Sequence, residues 1–586
     1  MPNPNKHAFF QKKLFWLVLL LGAHAALLAY TAVKMAPTDL EPPLLSAGVS
    51  HWELGRYELY RVNPPLVRMI AAAPVMIAGC KTDWSKFIDG PRTRPEYAIG
   101  SQFIELNGER SVFLTRLARW ACIPISLIGG VFCFVWARRL YAAPWAGWIA
   151  LFLWCFDPLI LGNGSLITND VAAAAFGVAA GYAFWRWLAR PGWGRSVWVG
   201  LALALAVLAK TTWLLLYGLW PLMALLWGVL YPAEKGTRLH RFFRRTFQLA
   251  LIFAVSLWII NFFYGFDHSF DRWRSYSFVS KKFQRIDSAF PALGSMPVPV
   301  PRQFLIGLDT QISDFEREQT HYYRGEWREK GSWCFYLYGL WVKWPHATQI
   351  LLFLATATAF LPRFRFRRDE AVLVIPALAV LLLVSSQTTI NIHFRYIIPF
   401  VGLALVFIGR TSLLVCQVRW GKWIVAPLLL LTVLSVLRET PFYLAYYNEL
   451  AGGPSSGCRH MLNSATDWGQ DFLYLKQWLA NHSDVHLDGV MYSGRFEPAD
   501  LGLDVKEPPR GAHSKSRPEH EPAGPLPGWY ALSVSMLYLT EPTFDYDYGY
   551  FLKFKPNAIA GTSIYIYHLT KEDITQAGFP LPEPAE

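Results

Sequence analysis

Cysteine at metal-binding or redox spacing is missing from this sequence. Seven cysteines are scattered over 586 residues. Cys122, Cys133, Cys155 and Cys416 fall in or beside apolar segments, and no CxxC or CxxH spacing occurs, so neither a zinc site nor a disulfide framework is read. No GxGxxG, P-loop or DxD element stands in a suitable strand-turn-helix setting, which argues against a soluble nucleotide as a partner. No internal repeat is found. Charge is missing from long stretches: Leu14 to Val33 carries none, and Lys210 is the only formal charge between Val197 and Tyr231.

What is present in excess is apolar surface. Hydrophobic residues make up 53% of the chain and aromatics 16%, and windows near twenty residues with few or no charges recur, the mark of a multi-pass membrane protein. The net charge of +13 sits mainly in short stretches between apolar runs, which reads as topology and not as a nucleic-acid surface. Spans are expected near 14–33, 116–137, 145–162, 170–188, 196–213, 214–231, 246–264, 347–362, 370–386, 393–409 and 423–439. The first is long for a signal peptide, and Lys34-Met35-Ala36-Pro37 is a poor cleavage site, so it reads as a retained helix. With Lys6, Lys12 and Lys13 inside, the inner loops collect the basic residues, among them Arg138, Arg139, Arg241, Arg244, Arg363 and Arg410. The short outer loops, Asn163 to Asn169 and Gln387 to Asn391, hold none. The positive-inside rule then puts the N-terminus in the cytoplasm and the C-terminus outside.

Three polar stretches share the outer side: residues 34–115, 265–346 and the tail from about 440. The tail reads as a small α/β domain, residues 441–586, after a membrane domain of residues 1–440. "DWGQDFLYLKQWLANH" offers Asp467 as a helix N-cap with Gln470 three residues on. Leu532, Val534, Met536 and Tyr538 alternate in "GWYALSVSMLYL", and "SIYIYHL" is a second β-rich run. Residues 505–527, rich in Pro, Gly and charge, read as a loop.

Ionisable groups at the spans are costly and single out a site. Asp170 closes "LGNGSLITND" at the start of a span, where an N-cap and a catalytic carboxylate are both open readings. Lys210 in "VLAKTTW" lies toward the outer leaflet, against the basic bias, and calls for an anion. Arg395 in "NIHFRYIIPF" makes the same case, its guanidinium offering a fork for phosphate or carboxylate; the structural alternative is an ion pair with Asp170, Glu41 or Asp39. His393 is read first as a packed histidine. Asp39 and Glu41 stand two apart just past the first span.

An acidic first loop, a second acid at the next outer loop and a late Arg-Tyr-x-x-Pro together resemble the membrane-embedded GT-C glycosyltransferases. Within these the chain resembles the phospholipid-carrier-dependent family that includes protein O-mannosyltransferases and the aminoarabinose transferase of lipid A. The resemblance is carried by "GRYELYRVNPPLVR", "GNGSLITND", "LAKTTWLLL", "IGLDTQISDFE", "HFRYIIP" and "YYNELAGGPSSGCRHMLNSATDWGQDFLYLKQWL". It implies an all-α polytopic GT-C bundle of about eleven transmembrane helices, with extracytoplasmic loops and a small C-terminal α/β domain, in a bacterial cytoplasmic membrane.

The implied activity is transfer of a sugar from a polyprenyl-phosphate donor to a protein, lipid or glycan acceptor at the outer face. Asp39 or Glu41 is then the base, Arg395 with Lys210 holds the leaving phosphate, and Asp170 orients hydroxyls or helps bind a divalent ion. Asn63 and Asn163 stand where many members carry His and are candidate substrate contacts with His393. The first loop departs from the family: Asp39-Leu40-Glu41 replaces an adjacent Asp-Glu pair, so one acid is turned by one residue. A carrier-lipid flippase and a non-catalytic carrier-binding relative are the competing readings.

Overall fold

The computed structural model describes residues 4–90, 92–230, 238–514, 517, 522–539 and 547–580. In chain order the helical part runs α1 (Pro4–Lys34), α2 (Glu41–Glu53), α3 (Leu66–Ile77), α4 (Pro95–Asn107), α5 (Arg110–Tyr141), α6 (Ala146–Cys155), α7 (Pro158–Asn163), α8 (Asp170–Ala189), α9 (Trp193–Ala209), α10 (Leu215–Leu230) and α11 (Arg238–Phe263). It continues through α12 (Lys281–Ala289), α13 (Arg302–Phe315), a hairpin β1 (His321–Tyr323) and β2 (Glu326–Arg328), α14 (Phe335–Lys343), α15 (His346–Phe360), α16 (Ala371–Ser386), α17 (Ile398–Ile408), α18 (Ser412–Gln417) and α19 (Gly421–Arg438).

Each of the eleven expected spans is helical, but their lengths differ. Among the described residues eight helices are long and apolar enough to cross a membrane, and α3, α6, α9 and α15 are shorter apolar helices. The break inside the expected 145–162 span has a local cause. Asp157 caps α7 by accepting from Leu159 N and Ile160 N, with Pro158 at the first helical position, so α6 and α7 are two helices. At Lys210 the backbone is extended (φ −158°, ψ 135°), which ends α9 before the next span begins.

α8 lies at the centre, packed on α5, α9 and α17, and its Ala172–Ala175 run lets those neighbours approach closely. Trp213 uses that space: its Nε1 donates to Ala173 O at 2.8 Å, and a Cβ at Gly177 would fall 1.9 Å from its ring. Gly177→Ala is therefore expected to cost about 1–3 kcal/mol by overpacking, read as a lower melting temperature in detergent.

Arg119 with Glu41 and Arg410 with Glu370 are buried ion pairs that tie the bundle. Both sides of each are fully enclosed. Arg410, which reads from the sequence as a loop charge, is thus the buried partner of an acid.

The tail holds α20 (Phe472–Asn481), β3 (Gly489–Met491), β4 (Gly528–Ser533), α21 (Val534–Tyr538), β5 (Ala558–Ala560), β6 (Ile564–Leu569) and α22 (Lys571–Gln576). The sheet order is β3-β4-β6-β5, with β3 parallel to β4 and the other pairs antiparallel. In two places the tail departs from the expected pattern. The strand stops at Ser533, so Val534, Met536 and Tyr538 belong to a short helix and not to an alternating strand. Asp467 does not cap α20, which begins at Phe472 with Asp471 at the cap position.

The tail also rests on a buried lysine. Lys343 donates to Leu444 O at 3.1 Å and to Ala465 O, and its ammonium lies 4.2 Å from the Tyr447 ring centre. Burial pushes its pKa down to about 7. The unfolded chain then binds a proton that the folded chain lacks between about pH 7 and the ordinary lysine range, so this group makes the protein more stable as pH rises through that window. Melting temperatures taken from pH 7 to 9.5 are expected to rise less in Lys343→Met than in the wild type.

Candidate functional site

Asn169 and Asp170 open α8. Asn169 Nδ2 donates to Ala209 O at 2.6 Å, which ties the start of α8 to the end of α9. Asp170 is the first helical residue, and Asn169 holds the cap position. The Asp170 carboxylate faces two cations: Lys210 Nζ donates to Oδ1 at 2.6 Å and Arg395 Nε lies 3.2 Å from Oδ2. Lys210 gets there because the extended backbone at the end of α9 turns it toward α8. Arg395 gets there on a 3-10 turn, Phe394–Ile397, that leads into α17. All three are buried. One carboxylate against two cations leaves one formal positive charge, and the enclosed site makes that charge felt more strongly than in water.

The three charges line a small cavity with Leu40, Leu44, Tyr60, Asn63, Thr168, Asn169 and Tyr396. Three buried polar atoms of this lining have no hydrogen-bond partner: Arg395 Nη1, Asn63 Oδ1 and Thr168 Oγ1. Buried polar groups are nearly always satisfied, and a donor and two acceptor-capable oxygens left open around one cavity fit a small polar ligand carrying negative charge. Aromatic faces complete the cage. Lys210 Nζ lies 4.0 Å from the Tyr396 ring centre, and the Arg395 guanidinium 4.1 Å from that of Trp468.

The other residues singled out from the sequence have separate places. Glu41 is fully enclosed. Arg119 Nε donates to its Oε1 at 2.8 Å and Nη2 to its Oε2 at 2.5 Å, and Thr38 adds its N–H and hydroxyl to Oε2. Its neighbour Leu40 lines the cavity, but Glu41 does not. Asp39, one residue earlier, is about one-third exposed and pairs with Arg495 Nη2 at 2.8 Å. The Arg495 guanidinium stacks on Tyr97 at 5.0 Å, and Arg94 stacks on both Tyr97 and the cavity residue Tyr60, so Asp39, which does not itself line the cavity, is joined to it through Arg495, Tyr97 and Arg94 and through its neighbour Leu40. Asn163 donates to Leu159 O at 3.0 Å inside α7, with Oδ1 unpartnered. His393 Nδ1 lies 3.3 Å from Ser464 Oγ. Neither lines the cavity.

Thr168, Tyr60, Tyr396, Trp468, Arg119 and Arg495 are contacts that sequence reading did not single out. Four of them sit inside quoted strings, Tyr60 in "GRYELYRVNPPLVR", Thr168 in "GNGSLITND", Tyr396 in "HFRYIIP" and Trp468 in "DWGQD". Arg119 carried a usable signal as a charge just inside an expected span; Arg495 carried none. Among the described residues, no group of three or more His, Cys, Asp or Glu that could hold a metal ion is found.

No curated protein sequence matches the chain. Among solved structures it resembles ArnT from Cupriavidus metallidurans bound to undecaprenyl phosphate, at 13% identity and a TM-score of 0.43 over 94% of this chain and 97% of that one. It also resembles the Archaeoglobus fulgidus oligosaccharyltransferase in complex with Zn and sulfate, at 12% identity and a TM-score of 0.36 over 88% and 68%. Residues 96–270, the stretch that carries Asp170 and Lys210, match the model of the dolichyl-phosphate-mannose-protein mannosyltransferase family, and over that stretch the chain is similar to that family.

Proposed function

We propose that this protein is a membrane glycosyltransferase that moves a sugar from a polyprenyl-phosphate donor to an acceptor at the extracytoplasmic face. The observation that carries the reading is the Asp170–Lys210–Arg395 cluster with Arg395 Nη1 open and buried at a cavity. Its one surplus positive charge suits a phosphodiester, which carries one negative charge. The resemblance of residues 96–270 to a family that uses a dolichyl-phosphate sugar supports the same reading.

In this mechanism the acceptor hydroxyl loses its proton to Asp39 as its oxygen attacks the anomeric carbon. The bond from that carbon to the phosphate oxygen breaks, the phosphate leaves with its charge held by Arg395 and Lys210, and the anomeric centre inverts. We assign the base to Asp39 because Glu41 already accepts four hydrogen bonds around Arg119 and Thr38, whereas Asp39 is bound through one oxygen only and reaches solvent. Asn63 and Thr168 offer hydrogen bonds to the sugar. Asp170 holds the two cations apart and in place.

The same enclosure of Glu41, with Asp39 paired to Arg495, favours a second reading: a relative that binds the carrier lipid without turning it over. The test is transfer from synthetic polyprenyl-phosphate sugars by the purified protein, with product detected by mass spectrometry. Turnover by the wild type and its loss in Asp39→Asn support the enzyme; donor binding without turnover over the whole donor panel selects the carrier-binding relative.

A further inference from the structure

The five residues Asp467 to Asp471, DWGQD, bring the tail to the cavity, and each has a separate task. Asp467 accepts from Ser535 N at 3.0 Å and from Gly469 N at 3.3 Å. Gly469 sits at φ +82°, and a Cβ there would come 2.6 Å from Ser493 O, so the turn requires glycine. Gln470 donates to Thr466 O at 3.0 Å and accepts from Trp468 N at 2.6 Å, while its own carbonyl takes the Ala36 N–H at 2.9 Å. Asp471 Oδ2 accepts from the backbone N–H and the hydroxyl of both Thr562 and Ser563.

All of this holds Trp468 still. It is 6% exposed, its carbonyl accepts from Asp39 N at 3.1 Å, and its ring lies 4.1 Å from Arg395 Cζ. A guanidinium pinned only at Nε by Asp170 can still turn about that contact. A ring laid against its face fixes the plane, and with it the direction of the unpartnered Nη1. Shielding by the ring also keeps water from that face, which strengthens both the cation–π contact and the charge.

We propose that Trp468 is a positioning residue for the phosphate subsite: the tail aims the Arg395 fork into the cavity, so the subsite is complete only when the DWGQD turn is docked. The proposal rests on the reading of the cavity as a polyprenyl-phosphate site. It makes the tail a working part of a site whose charges all come from the membrane-spanning half.

A double-mutant cycle tests it on the full chain in detergent, with farnesyl phosphate as the probe and binding measured by thermophoresis. Trp468→Leu is expected to weaken binding about tenfold and Trp468→Phe to restore most of it. In an Arg395→Ala background, Trp468→Leu should cost no further affinity, because the group it positions is gone. The same loss in both backgrounds would mean that Trp468 acts through general packing, and the inference fails while the phosphate reading stands. If Arg395→Ala alone leaves binding unchanged, the phosphate reading fails and takes the inference with it. A lowered melting temperature in Trp468→Leu leaves the cycle decisive, since a folding defect is carried equally in both backgrounds.

Discussion

Arg395→Ala is expected to lower turnover about 100- to 1000-fold, the size of effect seen when one preorganised charge stabiliser is removed from an enclosed site. Leaving-group stabilisation is worth most where the developing charge is shielded from water, and Arg395 is 7% exposed. The fold should tolerate the change, because Asp170 keeps its 2.6 Å bond from Lys210 and the cluster returns to neutrality. Arg395→Lys restores the charge but not the fork, so partial recovery is expected. Lys210→Met should be the more damaging to folding, since it removes the shortest contact of Asp170. Initial rates with a polyprenyl-phosphate sugar, beside melting curves for each variant, check this. Full activity in Arg395→Ala would rule out its role at the leaving phosphate.

The two first-loop acids should fail in opposite ways. Breaking a buried ion pair leaves an uncompensated charge and costs about 3–5 kcal/mol, so Arg119→Met, which strands Glu41 among carbonyls and hydroxyls, should sharply reduce thermal stability and yield. Arg119 also donates to Ala32 O, Met35 O and Ala36 O, so its loss frees the chain leading from α1 to Asp39 as well. Asp39→Asn changes a pair that is about one-third exposed at Asp39, where an ion pair is worth little. Its melting curve should match the wild type while turnover falls about 100-fold or more, as for a missing general base. If Asp39→Asn stays active and Glu41→Gln folds but is inactive, the assignment of the base reverses.

The sequence carried the charges of the site but not their geometry. Lys210 and Arg395 stood out because each breaks an apolar stretch, and that signal is strong wherever burial of charge is expensive. That both would meet on Asp170, forty residues from one and over two hundred from the other, follows only from the packing of α8 on α9 and α17. Asp39 and Glu41 looked alike as neighbouring loop acids. Their separation depends on Arg119, whose guanidinium enters the loop from another helix and takes Glu41 completely.

The tail shows the same division. "SIYIYHL" forms β6 as its β-rich composition suggests, yet the alternating Val534, Met536 and Tyr538 coil into α21, where Ser535 N donates to Asp467 and not to a sheet neighbour. Local pattern cannot foresee a partner sixty-eight residues away.

Apolar run length and the scarcity of charge within runs determined by themselves that this chain is a helical membrane bundle: only helices and closed barrels satisfy the backbone inside a bilayer, and uncharged runs of about twenty residues are the length of a spanning helix, about twice that of a barrel strand. Which acid is enclosed, which cations share a carboxylate, and that a tryptophan of the tail lies on Arg395 were decided only by the tertiary structure. The physical reason is that burial cost is written along the chain residue by residue, whereas its compensation comes from groups that the fold brings in from elsewhere.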